Sequence, residues 1–347
     1  MLEAMKRKNV TIEEIAKAAN VSTATISRII NNKGNVTKET RNHVINVMNQ
    51  MEYKPHNLHP LSDPESRIIL VCVPDFRNPF YNQVIDGIQK AAHEEKYNVL
   101  LLQSSDYYSR IEDFAEVFKE QSIAGIIILS SVPESDSELL NDLSLRCPVV
   151  MCSEYAENYG VSFVSINDVS SSEKAVSYLI STGCRKIGLL NSLTKFKYAR
   201  HREKGYRQAL TQCGLDCNEN WIAHISSISY DVAYSTAMHI LQLPNRPDAL
   251  FCCSDVYGIA AVNAAKVLGL RIPEDLSVIG FDNVDIARMS HPALTTIAQP
   301  MLQMGYQSCS LLIEKIQSPD TPDRQIILNT ELIIRNSTKL PVERVGQ

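Results

Sequence analysis

The chain has 347 residues, 44% of them hydrophobic and 21% charged, which is too long for one compact core and points to a globular protein of two or three domains. Its net charge of −5 argues weakly against nucleic acid, but residues 1–60 hold nine Lys/Arg and five Asp/Glu while the rest hold 25 and 34. A basic head on an acidic body is the pattern of a DNA reader tethered to a sensor, and no run approaches the roughly 18 apolar residues of a membrane span.

The head is read from Val10 to Tyr53 as three short helices. Thr11 and Glu14 form a capping box at the start of the first. Ile12, Ile15, Ala16 and Ala19 then repeat at helical spacing along one face. Asn20-Val21 marks a turn, and Ser22 caps a second helix running to about Ile30. Ile26, Ile29 and Ile30 face inward on it, leaving Thr23, Ala24, Ser27 and Arg28 outward. Thr37 caps a third helix with Val44, Val47, Met48 and Met51 inward. This is the build of a helix-turn-helix. Small polar residues at a helix start let its backbone approach base edges, and Arg can grip guanine O6 and N7. A plain helical cap with a solvated polar face is the other reading of the same pattern.

A linker, residues 56–66, separates the head (1–55) from the body, and Pro55, Pro60 and Pro64 punctuate this region. From residue 67 short apolar strands alternate with helices. Strands are predicted at Ile68–Val73, Val99–Leu102, Gly125–Leu129, Val149–Cys152 and Val161–Ile166. The rhythm then repeats at Lys186–Leu190, His224–Ile228, Ala249–Cys253 and Leu276–Phe281. This predicts two wound α/β units with parallel sheets. Ligands of such sheets bind beyond the carboxyl ends of strands. That rule selects Asp75–Tyr81, Ser153–Tyr155, Lys195–Arg202, Ile228–Tyr230, Ser254-Asp255, Asp282-Asn283 and Gln299. Asp255 and Asp282 are equally suited to capping the helices that follow, and Phe80 to core packing.

Other chemistry is not signalled. The nine cysteines are odd in number and scattered, without zinc spacing, so reduced thiols and no metal or cofactor are expected. No dinucleotide, P-loop, hydrolase or zinc-protease motif is present, so an enzyme is not expected. The opening MLEAMKRKNV lacks an apolar core, so a secretory signal is not expected either, which disfavours a solute-binding protein.

The segments VTIEEIAKAANVSTATISRIIN and VTKETRNHVINVMNQMEYKP closely resemble the LacI family of bacterial transcription regulators. The resemblance continues through IILVCVPDFRNPFY, PDALFCCSDVYGIAA and IPEDLSVIGFDNVDIARMSHPALTTIAQP to TELIIRNST. It covers roughly residues 9 to 340. Within the family the chain looks most like members that respond to a nucleoside such as cytidine. The resemblance implies an all-α helix-turn-helix head on a bilobal body of the periplasmic-binding-protein type. The first lobe is expected at 67–166 and 293–320, the second at 167–292 and 321–340, with crossings near Asn167, Pro292 and Pro319. A tail follows at 341–347, without the leucine heptad of tetrameric relatives.

It further implies a cytoplasmic homodimeric repressor on a roughly palindromic operator, with a second DNA-bound regulator as a candidate partner. Thr23, Ala24 and Arg28, with Ser27 beside them, are expected to face bases. Thr11, Ser22, Thr25, Asn31 and Lys38 are expected to hold phosphates or fix the helix. Leu58 or Leu61 would wedge into the minor groove. Pro60 departs from the family here, because proline inside the expected hinge helix costs about 3 kcal/mol. Carried over residue by residue, effector contacts fall on Asn78, Phe80, Tyr81, Glu154, Arg202, Ile228, Ser254, Asp282 and Gln299. Ile228 stands where relatives carry a stacking aromatic, so Tyr155, Phe196 or Tyr198 is the substitute stacking face. The expected effector is a nucleoside acting as inducer, with a pentose or purine as the alternative. Dimer contacts are expected from Asn82–Ala92, the stretch after it, and Val284–Met289.

Overall fold

The computed structural model describes residues 10–30, 36–51, 62–63, 65–103, 122–132, 137–156 and 160–341. Asn31, Leu58, Pro60, Leu61, the tail after Pro341 and the side chain of Lys38 lie outside the described residues.

Three helices build the head: α1 (Ile12–Ala18), α2 (Thr23–Ile30) and α3 (Lys38–Gln50). Ile15, Ala19, Ile26, Ile29, Val44 and Met48 are buried together in one small core. Two side chains lock the helices across it. His43 Nε2 lies 3.1 Å from Ala19 O, and Arg41 donates to Ile29 O at 3.5 Å.

The body carries two six-stranded sheets. The first runs β11 (Gln325–Leu328), β5 (Ser162–Ile166), β4 (Val149–Cys152), β3 (Gly125–Ile128), β1 (Ile68–Val73), β2 (Asn98–Gln103), all parallel. The second runs β12 (Glu331–Ile333), β10 (Thr295–Ala298), β9 (Ser277–Asp282), β8 (Ala249–Cys252), β6 (Ile187–Ser192), β7 (Ile222–Ile225), with β12 alone antiparallel. The inner strands are buried along their whole length, as parallel strands covered on both faces must be.

The helices that follow the strands are α4 (Phe80–Glu94), α5 (Ser137–Arg146), α6 (Asp168–Ser181), α7 (Lys197–Gln212), α8 (Tyr230–Leu241), α9 (Asp255–Val267), α10 (Asp285–Met289) and α11 (Met301–Gln317). Helices α4 and α11 pack backbone to backbone. A Cβ at Gly305 would strike the Val84 carbonyl, and one at Gly87 the Leu302 carbonyl. Only glycine permits so close an approach.

Two expectations need correction. The lobe boundaries fall later than Pro292 and Pro319. β10 pairs with β9, so 293–298 belongs to the second lobe, and β11 pairs with β5, so 325–328 belongs to the first. The chain therefore crosses after Ala298 and again between Leu328 and Glu331. Thr296 explains the first shift: its buried hydroxyl donates to buried Asp255 at 2.5 Å, a partner available only in the second lobe. Likewise β7 is Ile222–Ile225 rather than His224–Ile228. Ser226 to Ile228 leave the sheet, and Tyr257 holds them there by donating from its hydroxyl to Ser227 O at 2.8 Å.

Candidate DNA-reading head and effector cleft

The start of α2 is self-capped. Ser22 Oγ accepts from Thr25 N at 3.1 Å and lies 2.8 Å from Thr25 Oγ1. Ser22 and Thr25 thus fix the helix end. Thr11 does the same for α1 in a reciprocal box: Thr11 N donates to Glu14 Oε2 at 2.9 Å and Glu14 N to Thr11 Oγ1 at 3.3 Å. Thr23, Ala24, Ser27 and Arg28 are exposed on the opposite face from Ile26 and Ile29. One short helix therefore presents three small residues and a guanidinium to solvent.

The strand ends of both sheets converge on one cleft. Asn78, Phe80, Tyr81, Glu154, Phe196, Tyr198, Arg202, Ile228, Ser254, Asp282 and Gln299 all line it. The positions carried over residue by residue, with Phe196 and Tyr198, are thus brought to one surface. Tyr155 is not. Its ring stacks on Phe163 at 4.0 Å in a separate hollow beside Ile166 and Ile327, so it offers the cleft no stacking face. Phe196 and Tyr198 do, with rings 5.7 Å apart and 13° from parallel.

Local sequence explains each placement. Asn78 accepts from Phe80 N at 3.1 Å and starts α4, which turns Phe80 and Tyr81 to the cleft. Phe80 lines the cleft and also joins the core. Ser254 caps α9, accepting from Val256 N at 3.3 Å. Asp282 ends β9 with φ of +109° and lines the cleft. Asp255 neither lines the cleft nor caps; it accepts from Val284 N at 2.8 Å and braces the turn after Asp282.

The charges are closely spaced. Arg202 Nε donates to Asp168 Oδ1 at 2.9 Å, and Nη1 stands 3.6 Å from Asp282 Oδ1. Its guanidinium lies 3.6 Å over the Phe281 ring. Burial pushes the Asp282 carboxyl up to about 6, against the pull of Arg202, Gln299 and Ser254. Burial, together with Asp282, also raises Asp255 well above the usual range. Gln299 Nε2 donates to Asp282 Oδ1 at 2.8 Å, which fixes the amide; its buried Oε1 has no hydrogen-bond partner among the described residues.

Some site residues escaped the sequence reading. Ser131, Ser192, Ser226, Ser227 and Cys253 also line the cleft, and Asp168 stands behind it, paired with Lys197 of the selected Lys195–Arg202 stretch. The strand-end rule would have found Ser192 and Cys253. A buried ion pair such as Asp168–Lys197 leaves no periodic signal. Among the described residues no cluster of His, Cys, Asp or Glu is placed to hold a metal, and no helix is long and apolar enough to cross a membrane.

Residues 11–56 match the model of bacterial regulatory proteins of the lacI family, and 176–338 that of a periplasmic binding protein-like domain. The HTH-type transcriptional repressor CytR of Escherichia coli is 34% identical, over 95% of this chain and 96% of its own. The HTH-type transcriptional regulator DegA of Bacillus subtilis is also 34% identical, over 94% and 98%. The solved structure of the transcriptional regulator CelR with cellobiose superposes with a TM-score of 0.72 at 26% identity, covering 94% of this chain and 99% of that one. An exposed reading helix, a bilobal ligand cleft and relatives matched end to end are those of one kind of protein: the chain belongs to the LacI family and is a DNA-binding transcriptional repressor, not an enzyme.

Proposed function

We propose that this repressor works as a cytoplasmic homodimer on a roughly palindromic operator, and that a neutral nucleoside, cytidine or a close analogue, enters the cleft and releases the DNA. The charge balance of the cleft carries this reading. Arg202 is the single basic side chain among the described lining residues, and Asp168 and Asp282 already take up its charge. The other charged lining groups, Asp75 and Glu154, are acidic. A phosphate, at about −1.5 to −2, would meet carboxylates and no free cation among the described lining residues. A neutral ligand is favoured instead. The stacked Phe196 and Tyr198 offer a flat wall for a base, and ring hydroxyls can donate to Asp282 and Gln299 Oε1 while accepting from Arg202. Resemblance to nucleoside-responsive members of the family points the same way. Exposed Ile286 and Met289 on α10 support the expected dimer contact there.

Thermal unfolding against cytidine, other nucleosides, cytidine monophosphate, ribose and purine bases tests the ligand. A ligand at 100 times its dissociation constant adds about 2.7 kcal/mol. Cytidine should raise the melting temperature and its monophosphate should not. A rise with ribose or with free bases alone would replace the nucleoside by a pentose or purine.

A further inference from the structure

Lys197 opens α7, the second-lobe helix that carries Tyr198 and Arg202, yet its side chain reaches into the first lobe. The ammonium, with 2% side-chain exposure, donates to Ser153 O at 3.2 Å and to Ser165 Oγ at 3.4 Å, both on first-lobe segments. It stands 3.9 Å from Glu154 Oε1 and 4.3 Å from the centre of the Tyr155 ring. Glu154 answers in the other direction. Its two carboxylate oxygens accept from the backbone N–H groups of Lys197 and Tyr198, each at 3.1 Å. These amides belong to the first turn of a helix, where no intrahelical acceptor exists. Ser153, between the strand and Glu154, has φ of +71°, and its carbonyl is held by donors from both Ser165 and Lys197. A strained turn in one lobe is thus fixed by a cation from the other.

Asp168 connects this junction to the cleft. Its Oδ2 accepts from Lys197 at 3.0 Å and its Oδ1 from Arg202 at 2.9 Å. Arg202 in turn faces Asp282. A continuous run of charged contacts therefore leads from the cleft through Arg202 and Asp168 to Lys197 and into the first lobe. We propose that Lys197 is a positioning residue that bolts the two lobes together, and that Asp168, shared with Arg202, lets the occupant of the cleft alter the bolt. A ligand hydroxyl on Arg202 or Asp282 changes how much of the Asp168 charge remains for Lys197. That differential interaction is what a shift between two lobe arrangements requires. The second half of the proposal rests on the cleft being the effector site; the first half does not.

Amide hydrogen exchange of the full-length protein reads the bolt directly. The Lys197 and Tyr198 amides owe their protection to Glu154 across the lobe junction, so they report closure rather than helix stability. Without ligand, Lys197→Met should speed their exchange by about tenfold or more while the rest of α7 is unchanged. Lys197→Arg, which keeps the charge and donors, should restore protection. Ser165→Ala removes a first-lobe acceptor without stranding a charge, and should speed the same two amides by a few-fold if Lys197→Met fails to fold. Unchanged exchange at these amides in Ser165→Ala and in a folded Lys197→Met, or an equal rise throughout the second lobe, would overturn the bolt. Added cytidine should alter their exchange in the natural protein and leave it unaltered in Asp168→Asn; an equal response in both would remove Asp168 from the coupling. Failure of cytidine to bind would defeat the nucleoside reading and the coupling drawn from it, and the ligand-free comparison would still decide the bolt.

Discussion

Arg28 stands exposed in the last turn of α2, on the face turned away from Ile26 and Ile29. If it grips a guanine, Arg28→Ala should cost about 1–3 kcal/mol on the cognate operator and little on other DNA. Binding assays on matched and scrambled sequences separate the cases, since equal losses on both would make Arg28 a phosphate contact. Asp282 offers a second residue-level outcome. Its carboxyl is pushed up to about 6, so it is ionised at pH 7 and mostly protonated at pH 5. A ligand hydroxyl donates to the ionised form. Cytidine affinity should therefore fall as pH drops through 6, by up to about tenfold one unit below that value, and Asp282→Asn should flatten the profile. A flat titration curve in the natural protein would remove the carboxylate from the contact. The cleft residues were readable in the sequence because strand ends can be located from apolar runs and family motifs fix their register. The pairing of Lys197 with Asp168 was not. A buried charge is intelligible only beside its partner, and here the partners are 29 residues apart.

Among the elements, the head helices follow their sequence signals closely. Thr11, Ser22 and Thr37 sit where caps were expected, and each accepts a backbone N–H. The body's errors have a common origin. Pro292 and Pro319 are conspicuous in sequence, but lobe membership is decided by pairing of β10 with β9 and β11 with β5. Short strands between such landmarks carry too little pattern to reveal a long-range partner. The crossing of α4 and α11 is equally silent, because a glycine in a helix does not announce what approaches it. Gly305→Ala should destabilise the body by about 1–3 kcal/mol through forced separation of the two helices. A calorimetric scan measures this, and an unshifted melting temperature would contradict the close backbone contact with Val84.

Across the whole molecule, the chain builds two parts, a head and a body, which the proposed function couples. The head presents a reading helix with exposed Thr23, Ala24 and Arg28. The body gathers residues from both sheets around one cleft whose single basic lining side chain among the described residues, Arg202, stands among carboxylates. The two-part plan was visible in the charge asymmetry between residues 1–60 and the rest, and in the switch from helical to strand periodicity at residue 67. The proposed coupling between parts was not, since its lobe-to-lobe contacts join residues far apart in the chain. Its free energy should fall in the range of about 1–3 kcal/mol typical of linked sites. The most direct test is the affinity of the full-length protein for an operator selected from random DNA, measured with and without saturating cytidine. The account predicts that cytidine weakens operator binding by about 5- to 150-fold and that cytidine monophosphate has no effect. Unchanged operator affinity, with cytidine demonstrably bound, would contradict it.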